Sequence, residues 1–350
     1  MTGPFPNTAK SPHPSRDWAA LAATAAQNVN ARFGHPLMRL PGTWIGSLAA
    51  GPNARPPSTV PWSEWHYWWQ AHYLDAILDA GFLALSDGAR PAARRWLRQG
   101  QALLRGILIR NFGRFPNHFY DDMAWLALAA SRLNELSLRL NAKPVALARF
   151  ATRVLTRQLH AAHDQVLGGG LYWSRKRDYK NTPVNGPAAL HFARIGELRT
   201  AAAVTAWLRT ELFDLDSGLY MDGVHPTATG RSVERNIYTY NQGPILAALL
   251  TLGGPGQLEQ AAGLVTAIKA QLSTPGHGLR LEPGGDGSLF TGILCRYLAV
   301  AARDGRLCAQ TRETASNLIV QTAEQLLNHE PDQLSAAIQR WSIFSAAAAL

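Results

Sequence analysis

Cysteine and lysine are both scarce in this chain of 350 residues. The two Cys, Cys295 and Cys308, cannot build a disulfide framework, and no Cys-based metal site is expected. Each falls in or beside a helical pattern, where a thiol acts as a small apolar side chain. They leave the redox compartment open. Lys occurs only at Lys10, Lys143, Lys176, Lys180 and Lys269, so the formal net charge of +10 is almost wholly an excess of Arg. No apolar run is long enough to span a bilayer. The opening stretch, MTGPFPNTAKSPHPSRDW, lacks the apolar centre of a secretory signal. A cytoplasmic location is therefore expected, with export by another route left open. No glycine-rich phosphate loop ends in Lys-Ser or Lys-Thr, and no Gly-x-Ser-x-Gly elbow occurs. Charged residues make up 17% and hydrophobic ones 47%, which is a globular composition rather than a disordered one.

Arg lies on helical faces, as in ARPAARRWLRQG, rather than in blocks. Charge alone would permit nucleic acid, but no basic run interleaved with aromatics accompanies it, and none is expected as a partner. Weak association with an anionic lipid surface stays open.

What the chain has is helical periodicity. Apolar helical segments are expected at about 16–33, 68–86, 91–110, 120–139, 144–163, 182–196, 199–213, 239–253, 257–272, 289–304, 309–328 and 334–348, with no convincing sheet. The connectors alternate. Short ones include SDGAR, NAKP, GELR and GGPG; long ones include NFGRFPNHFY and VLGGGLYWSRKRDYKN. Helix hairpins joined by short turns send every long connector to one end of the assembly. The fold expected is all-α, an (α/α)6 toroid of six inner and six outer helices. GGLYW (169–173) echoes SGLYM (217–221) as a faint internal repeat. Residues 1–15 read as a Pro- and Ser-rich disordered arm, and 16–350 as one domain.

FYDDMAWLALA places two adjacent carboxylates, Asp121 and Asp122, at the mouth of an apolar helix. Ordinary capping would explain them, with Asp121 as the N-cap and Asp122 in the first turn. Other helix starts on the same face argue for more. PWSEWHYWWQAHYLDAILDA sets Trp68, His72, Asp75 and Asp79 on one side of a helix, with Trp62, Trp65 and Trp69 at its entrance. GGGLYWSRKRDYKNTPVNGP adds Trp173, Lys180, Asn181 and Asn185, and RNIYTYNQGPILAALL adds Tyr240, Asn241 and Gln242. Most of these aromatics would serve as core, and Asn is a good N-cap. Yet uncharged hydrogen-bonding side chains beside aromatics recur at three helix starts. That pattern suits a neutral polyhydroxyl ligand, whose rings stack on aromatic faces. HAAHD offers His160, His163 and Asp164, where capping of a helix C-terminus outweighs metal binding. No metal and no cofactor are expected.

YDDMAWLALA, YKNTPVN, TYNQGPILAAL and GSLFTGILCRYLA, with YWWQAHYLDAILDA, together resemble glycoside hydrolase family 76, the α-1,6-mannanases, from about Trp62 to the end of the chain. The resemblance implies the (α/α)6 toroid and endo-hydrolysis of α-1,6-linked mannan with retention, without a metal. It implies Asp121 as nucleophile and Asp122 as general acid/base. Trp69, His72, Tyr120, Trp125, Trp173, Lys180, Asn181, Asn185, Tyr240, Asn241 and Gln242 are then the expected sugar-binding residues. Leu126 stands where the family usually has a second aromatic, and Val184-Asn185 where Ser-Asn is frequent; both bear on the shape of sugar subsites. The Ala- and Arg-rich composition hints at a high-GC bacterium, with a lipomannan-type glycan as substrate. Two rivals remain: another (α/α)6 carbohydrate enzyme such as a sugar epimerase, with His72 and His191 as its only candidate His pair, and a catalytically silent glycan-binding protein.

Overall fold

Apolar residues at helical spacing condense into twelve α-helices in the computed structural model, which describes residues 16–50 and 64–350. They are α1 (Trp18–Arg32), α2 (Tyr67–Ser86), α3 (Arg90–Arg110), α4 (Tyr120–Arg139), α5 (Ala146–Ala162), α6 (Thr182–Arg194), α7 (Leu198–Glu211), α8 (Thr239–Leu252), α9 (Pro255–Leu272), α10 (Gly284–Ala302), α11 (Ala309–Gln325) and α12 (Leu334–Ala348). None of these helices is long and apolar enough to cross a membrane. The arm expected at residues 1–15 and Trp62 lie outside the described residues.

The even-numbered helices form a closed ring, each packed on the next, with α12 returning to α2. The odd-numbered helices pack outside them: α3 on α2, α5 on α4, α7 on α6, α9 on α8 and α11 on α10. The sixth outer helix, α1, packs on α12, so one inner–outer pair joins the two ends of the described chain instead of spanning a short turn. This is the (α/α)6 toroid. Burial follows from position. Inner helices are apolar nearly all round, as in α4, where Met123 to Ala130 is wholly buried, because each has neighbours on every side. Outer helices such as α5 bury one stripe, Ala148, Ala151, Leu155 and Leu159.

The long connectors hold the only substantial sheet among the described residues. Strands β1 (Lys180–Asn181), β2 (Gly223–Thr227) and β3 (Gly230–Glu234) pair antiparallel, with β2 in the middle. No sheet was expected here, because Gly, Pro226 and short polar residues mask the alternation that marks a strand.

A recurrent device ties these connectors to the ring. The fourth residue of α2, α6 and α8 is Gln70, Asn185 and Gln242 respectively. Each side-chain amide grips both backbone groups of one residue in the preceding connector. Gln70 accepts from Gly46 N (2.9 Å) and donates to Gly46 O (2.9 Å). Asn185 does the same with Leu171 (2.7 and 3.0 Å), and Gln242 with Tyr220 (3.0 and 2.9 Å). Each amide also donates to a carbonyl at its own helix start, Trp65, Asn181 or Tyr238. Each Gly-Leu-Tyr phrase supplies one anchored residue, Leu171 in the first and Tyr220 in the second, one position apart in the phrase. Gly170 shows its constraint: φ is +74°, and a Cβ there would lie 2.5 Å from the Trp207 ring.

Below the loops, ion pairs cross the middle of the ring. Arg132 on α4 binds Asp75 (2.5 Å) and Asp79 (2.6 Å) of α2, and Arg296 on α10 binds Asp79 (2.8 Å). The carboxylates read at helical spacing along α2 thus join three inner helices.

Candidate active site

Ring closure brings the starts of α2, α4, α6, α8 and α10 to one cavity of about 560 Å3. Asp121 and Asp122 occupy the first turn of α4, but Phe119 is the N-cap, so neither Asp caps the helix in the expected way. Both carboxyls face the cavity. Asp121 Oδ1 accepts from the Asp122 N–H (2.9 Å), and Oδ2 accepts from the indole N–H of Trp173 (2.9 Å). Asp122 Oδ2 accepts from the amide of Asn117 (2.5 Å).

Burial lifts the Asp121 carboxyl above the ordinary carboxylate range; its N–H donors oppose the rise and the charge of Asp222 adds to it. Asp122 is pushed well above that range, by burial first and then by the negative charge of Asp121, with Asn117 opposing. Two adjacent carboxyls in a dense setting do not ionise together easily. Asp121 has two donors favouring its charged form and Asp122 one, so the first proton lost comes from Asp121.

Aromatic rings form the walls. Tyr240 stacks on Phe290 with centroids 3.8 Å apart and planes 12° apart. Trp125 lies beside Tyr240, and Trp68 against Phe290. Trp173 packs on Phe119 (4.9 Å) at the other side of the Asp pair. Asn181 caps α6 through Val184 N and also lines the cavity.

Besides the exposed Glu64, two further carboxylates line the cavity. Asp222 accepts from the Tyr179 hydroxyl (2.9 Å) and the Asn241 amide (3.1 Å), and burial raises it above the usual carboxylate range. Asp286, in the first turn of α10, accepts from the indole N–H groups of Trp68 (3.1 Å) and Trp69 (2.7 Å). Neither was singled out from sequence, nor were Phe119, Tyr179 and Phe290. Asp286 was hidden because Gly-Gly-Asp-Gly reads as a loop, whereas α10 begins five residues before its expected start. Asp222 sits in an irregular connector, where no periodicity marks it.

Of the expected residues, Asp121, Asp122, Trp125, Trp173, Asn181 and Tyr240 line the cavity together. The others do not. Asn185 and Gln242 are fully buried loop anchors, their amides saturated by backbone. Lys180 is also fully buried, and its ammonium binds Asp164 (2.7 Å), Val166 O (2.7 Å) and Gly169 O (2.6 Å). Trp69 lies behind the wall, donating to Asp286 and stacking on His66 (4.4 Å). Tyr120 is buried under the Arg175 guanidinium. Asn241 stands behind Asp222. His72 is buried between Trp68 and Trp125, where burial holds it neutral. His191 is buried against Thr156, so the two His of the epimerase reading do not meet in the cavity. Leu126 and Val184 are fully buried, and neither shapes the cavity wall. His160 pairs with Glu197 and Asp164 with Lys180, which accounts for the HAAHD cluster.

Replacing Lys180 tests its placement. Lys180→Met removes the ammonium shared by Asp164, Val166 O and Gly169 O, while Asp164 keeps the Val166 N–H and Val166 O keeps the Gly169 N–H, and the expected cost is roughly 1–3 kcal/mol of stability. Urea unfolding should show the loss; an unchanged midpoint would mean that the connector does not depend on this ammonium.

Solved structures with this fold include the alpha-1,6-mannanase of Salegentibacter sp. HEL1_6, with a TM-score of 0.80 and 27% identity over 95% of this chain and 99% of that one. An inactive variant of that mannanase, with two consecutive Asp replaced by Asn, was solved in complex with alpha-1,6-mannotriose (TM-score 0.80, 26% identity, 95% and 99% covered). A protein of Listeria innocua shares the fold at a TM-score of 0.79 and 23% identity, with 95% and 97% covered. No curated protein is significantly similar to the chain in sequence. The model of glycosyl hydrolase family 76 matches residues 42–342, and the chain belongs to that family.

Proposed function

We propose that this protein is a retaining endo-α-1,6-mannanase. The observation that carries the reading is the pair Asp121 and Asp122, adjacent at the start of an inner helix and facing an aromatic-walled cavity. Retention requires one carboxylate to attack the anomeric carbon while a carboxylic acid about 5–5.5 Å away protonates the leaving oxygen. Successive side chains on a helix diverge by about 100°, which suits such a separation and leaves little room for the interposed water of inversion. Asp121, with two N–H donors, is the nucleophile. Asp122, whose proton is held more tightly, gives that proton to the departing sugar oxygen. The glycosyl–Asp121 ester is then opened by water, from which Asp122 takes the proton back. The wall of Trp125, Tyr240 and Phe290 gives sugar rings an apolar surface to lie against, a stacking contact being worth on the order of 1 kcal/mol beyond area burial.

The test is incubation with linear α-1,6-mannan, following product length and the anomer first formed by NMR. Internal cleavage to short α-anomeric oligosaccharides is expected. A β-anomer formed first would mean inversion, and both role assignments would then fail. An intact polymer would leave the family without this activity here.

A pH profile gives a second test. Rate falls as pH drops and Asp121 takes up a proton, and falls as pH rises and Asp122 loses one. Both groups are raised, so the bell should lie at higher pH than for two ordinary carboxyls. Trp173→Phe keeps a ring against Phe119 but removes the N–H that favours ionised Asp121. The acidic limb should then move to higher pH, with kcat/KM lower by roughly ten- to a hundredfold. An unmoved acidic limb would separate Trp173 from the titration of Asp121.

A further inference from the structure

The excess of Arg is not spread evenly over the ring. Helices α3 and α5 together contain nine Arg and no Asp or Glu, against a net +10 for the whole chain. The outer helices α7, α9 and α11 each include at least one Glu. α3 and α5 pack side by side on the outside of the ring. Their exposed Arg form stripes: Arg94, Arg98 and Arg105 on α3, and Arg149, Arg153 and Arg157 on α5. None of these six takes part in a salt bridge among the described residues.

Between the helices opens a cleft of about 300 Å3. Arg105, Lys143 and Gln101 give it a polar side, and Leu104, Val145 and Leu147 an apolar one. Phe150, 49% exposed, flanks the α5 stripe, about 100° round the helix from Arg149. It touches Phe115 (6.2 Å), in the connector that carries Asn117 and Phe119 to the cavity.

From this arrangement we infer that the α3–α5 face docks on a membrane surface bearing anionic phospholipid, with a headgroup phosphate in the Arg105–Lys143 cleft. Six exposed Arg on two adjacent outer helices, neither of which carries a carboxylate, complement the charge of an anionic bilayer, whose continuous surface can meet both stripes. Polar and apolar walls in one cleft match a headgroup and the start of its acyl chains. An exposed Phe among Arg suits the headgroup boundary, where aromatic rings insert beside cations that hold to phosphate. The inference does not depend on the reaction in the cavity.

Co-sedimentation with phosphatidylcholine vesicles, with and without phosphatidylglycerol, at low and high salt, tests it. Binding is expected only with phosphatidylglycerol and only at low salt. Each Arg held at the surface contributes about fivefold to partitioning. The triple variants Arg94→Gln/Arg98→Gln/Arg105→Gln and Arg149→Gln/Arg153→Gln/Arg157→Gln should therefore each bind about a hundredfold more weakly. Thermal unfolding should change little, since all six side chains are exposed and the bond from Arg105 Nε to Gly42 O (2.6 Å) lies at the surface. Arg199→Gln/Arg209→Gln/Arg235→Gln removes equal charge elsewhere and should bind as the parent does. No binding to phosphatidylglycerol vesicles, equal binding by the stripe variants, or an equal loss in the control would overturn the proposal. So would binding of duplex DNA at least as tight as binding of the vesicles, with the same dependence on the two stripes.

Discussion

Asp121→Asn is expected to abolish turnover of every substrate, whatever its leaving group. The carboxylate is the only group in the proposed mechanism that bonds to the sugar, and an amide cannot replace it. The loss should be of the order of 10⁴-fold or more, the scale on which a covalent catalytic residue is felt. Asp122→Asn should behave differently. It removes the proton donor and the later base, yet leaves the nucleophile in place. Substrates whose leaving groups need no proton should still glycosylate Asp121 and then stall, because water needs a base. Azide needs none, so adding it should restore turnover and yield an α-mannosyl azide, retained after two displacements. The hydrogen-bond pattern motivates the order of roles: Trp173 and the Asp122 N–H both serve Asp121. An α-mannosyl azide formed by azide rescue of Asp121→Asn, and none for Asp122→Asn, would exchange the two roles.

Removal of Arg132 should have the largest effect on stability. Its guanidinium holds Asp75 and Asp79, whose side chains are only 2% and 12% exposed. Arg296 keeps Asp79 at 2.8 Å but stands 4.0 Å from Asp75. Arg132→Leu therefore leaves a buried carboxylate nearly unpaired, at a cost of about 3–5 kcal/mol. The urea midpoint should fall accordingly. Neutralising the stranded partner, in Arg132→Leu/Asp75→Asn, should recover part of the loss, because the penalty is that of a lone buried charge rather than of a missing attraction. If the double variant is no more stable than the single one, packing rather than charge explains the loss. The cavity lies at the other end of the inner helices, so a destabilised variant that remains folded should keep its pH profile.

The Gln70, Asn185 and Gln242 anchors show where reading the sequence for chemistry goes astray. Three inner helices start with amides beside aromatics, which is what a sugar site would need. Asn185 and Gln242, expected at the sugar, are instead buried loop anchors, and Gln70 repeats the arrangement on α2. In the fourth position of a helix the side chain turns inward to the connector that precedes it, and there the two unpaired backbone groups of one loop residue claim it. An amide is the side chain that can both donate and accept across such a residue. Lys180 went the same way, recruited by two carbonyls and Asp164.

Local periodicity decided the helices, and the alternation of short and long connectors decided that their starts face one end, because both are properties of neighbouring residues. The Asp pair and its turn of helix were legible for the same reason. Closure of α12 on α2, the seat of α1 against α12 and the ion pairs of Arg132 and Arg296 belong to the tertiary structure, since they join residues far apart in the chain. So do Asp222 and Asp286: one lies in an irregular connector and the other in a glycine-rich first turn, and only ring packing sets both across a cavity from Asp121 and Asp122. A carboxylate's burial, its donors and its charged neighbours are supplied by other segments, so its protonation is a property of the assembled ring.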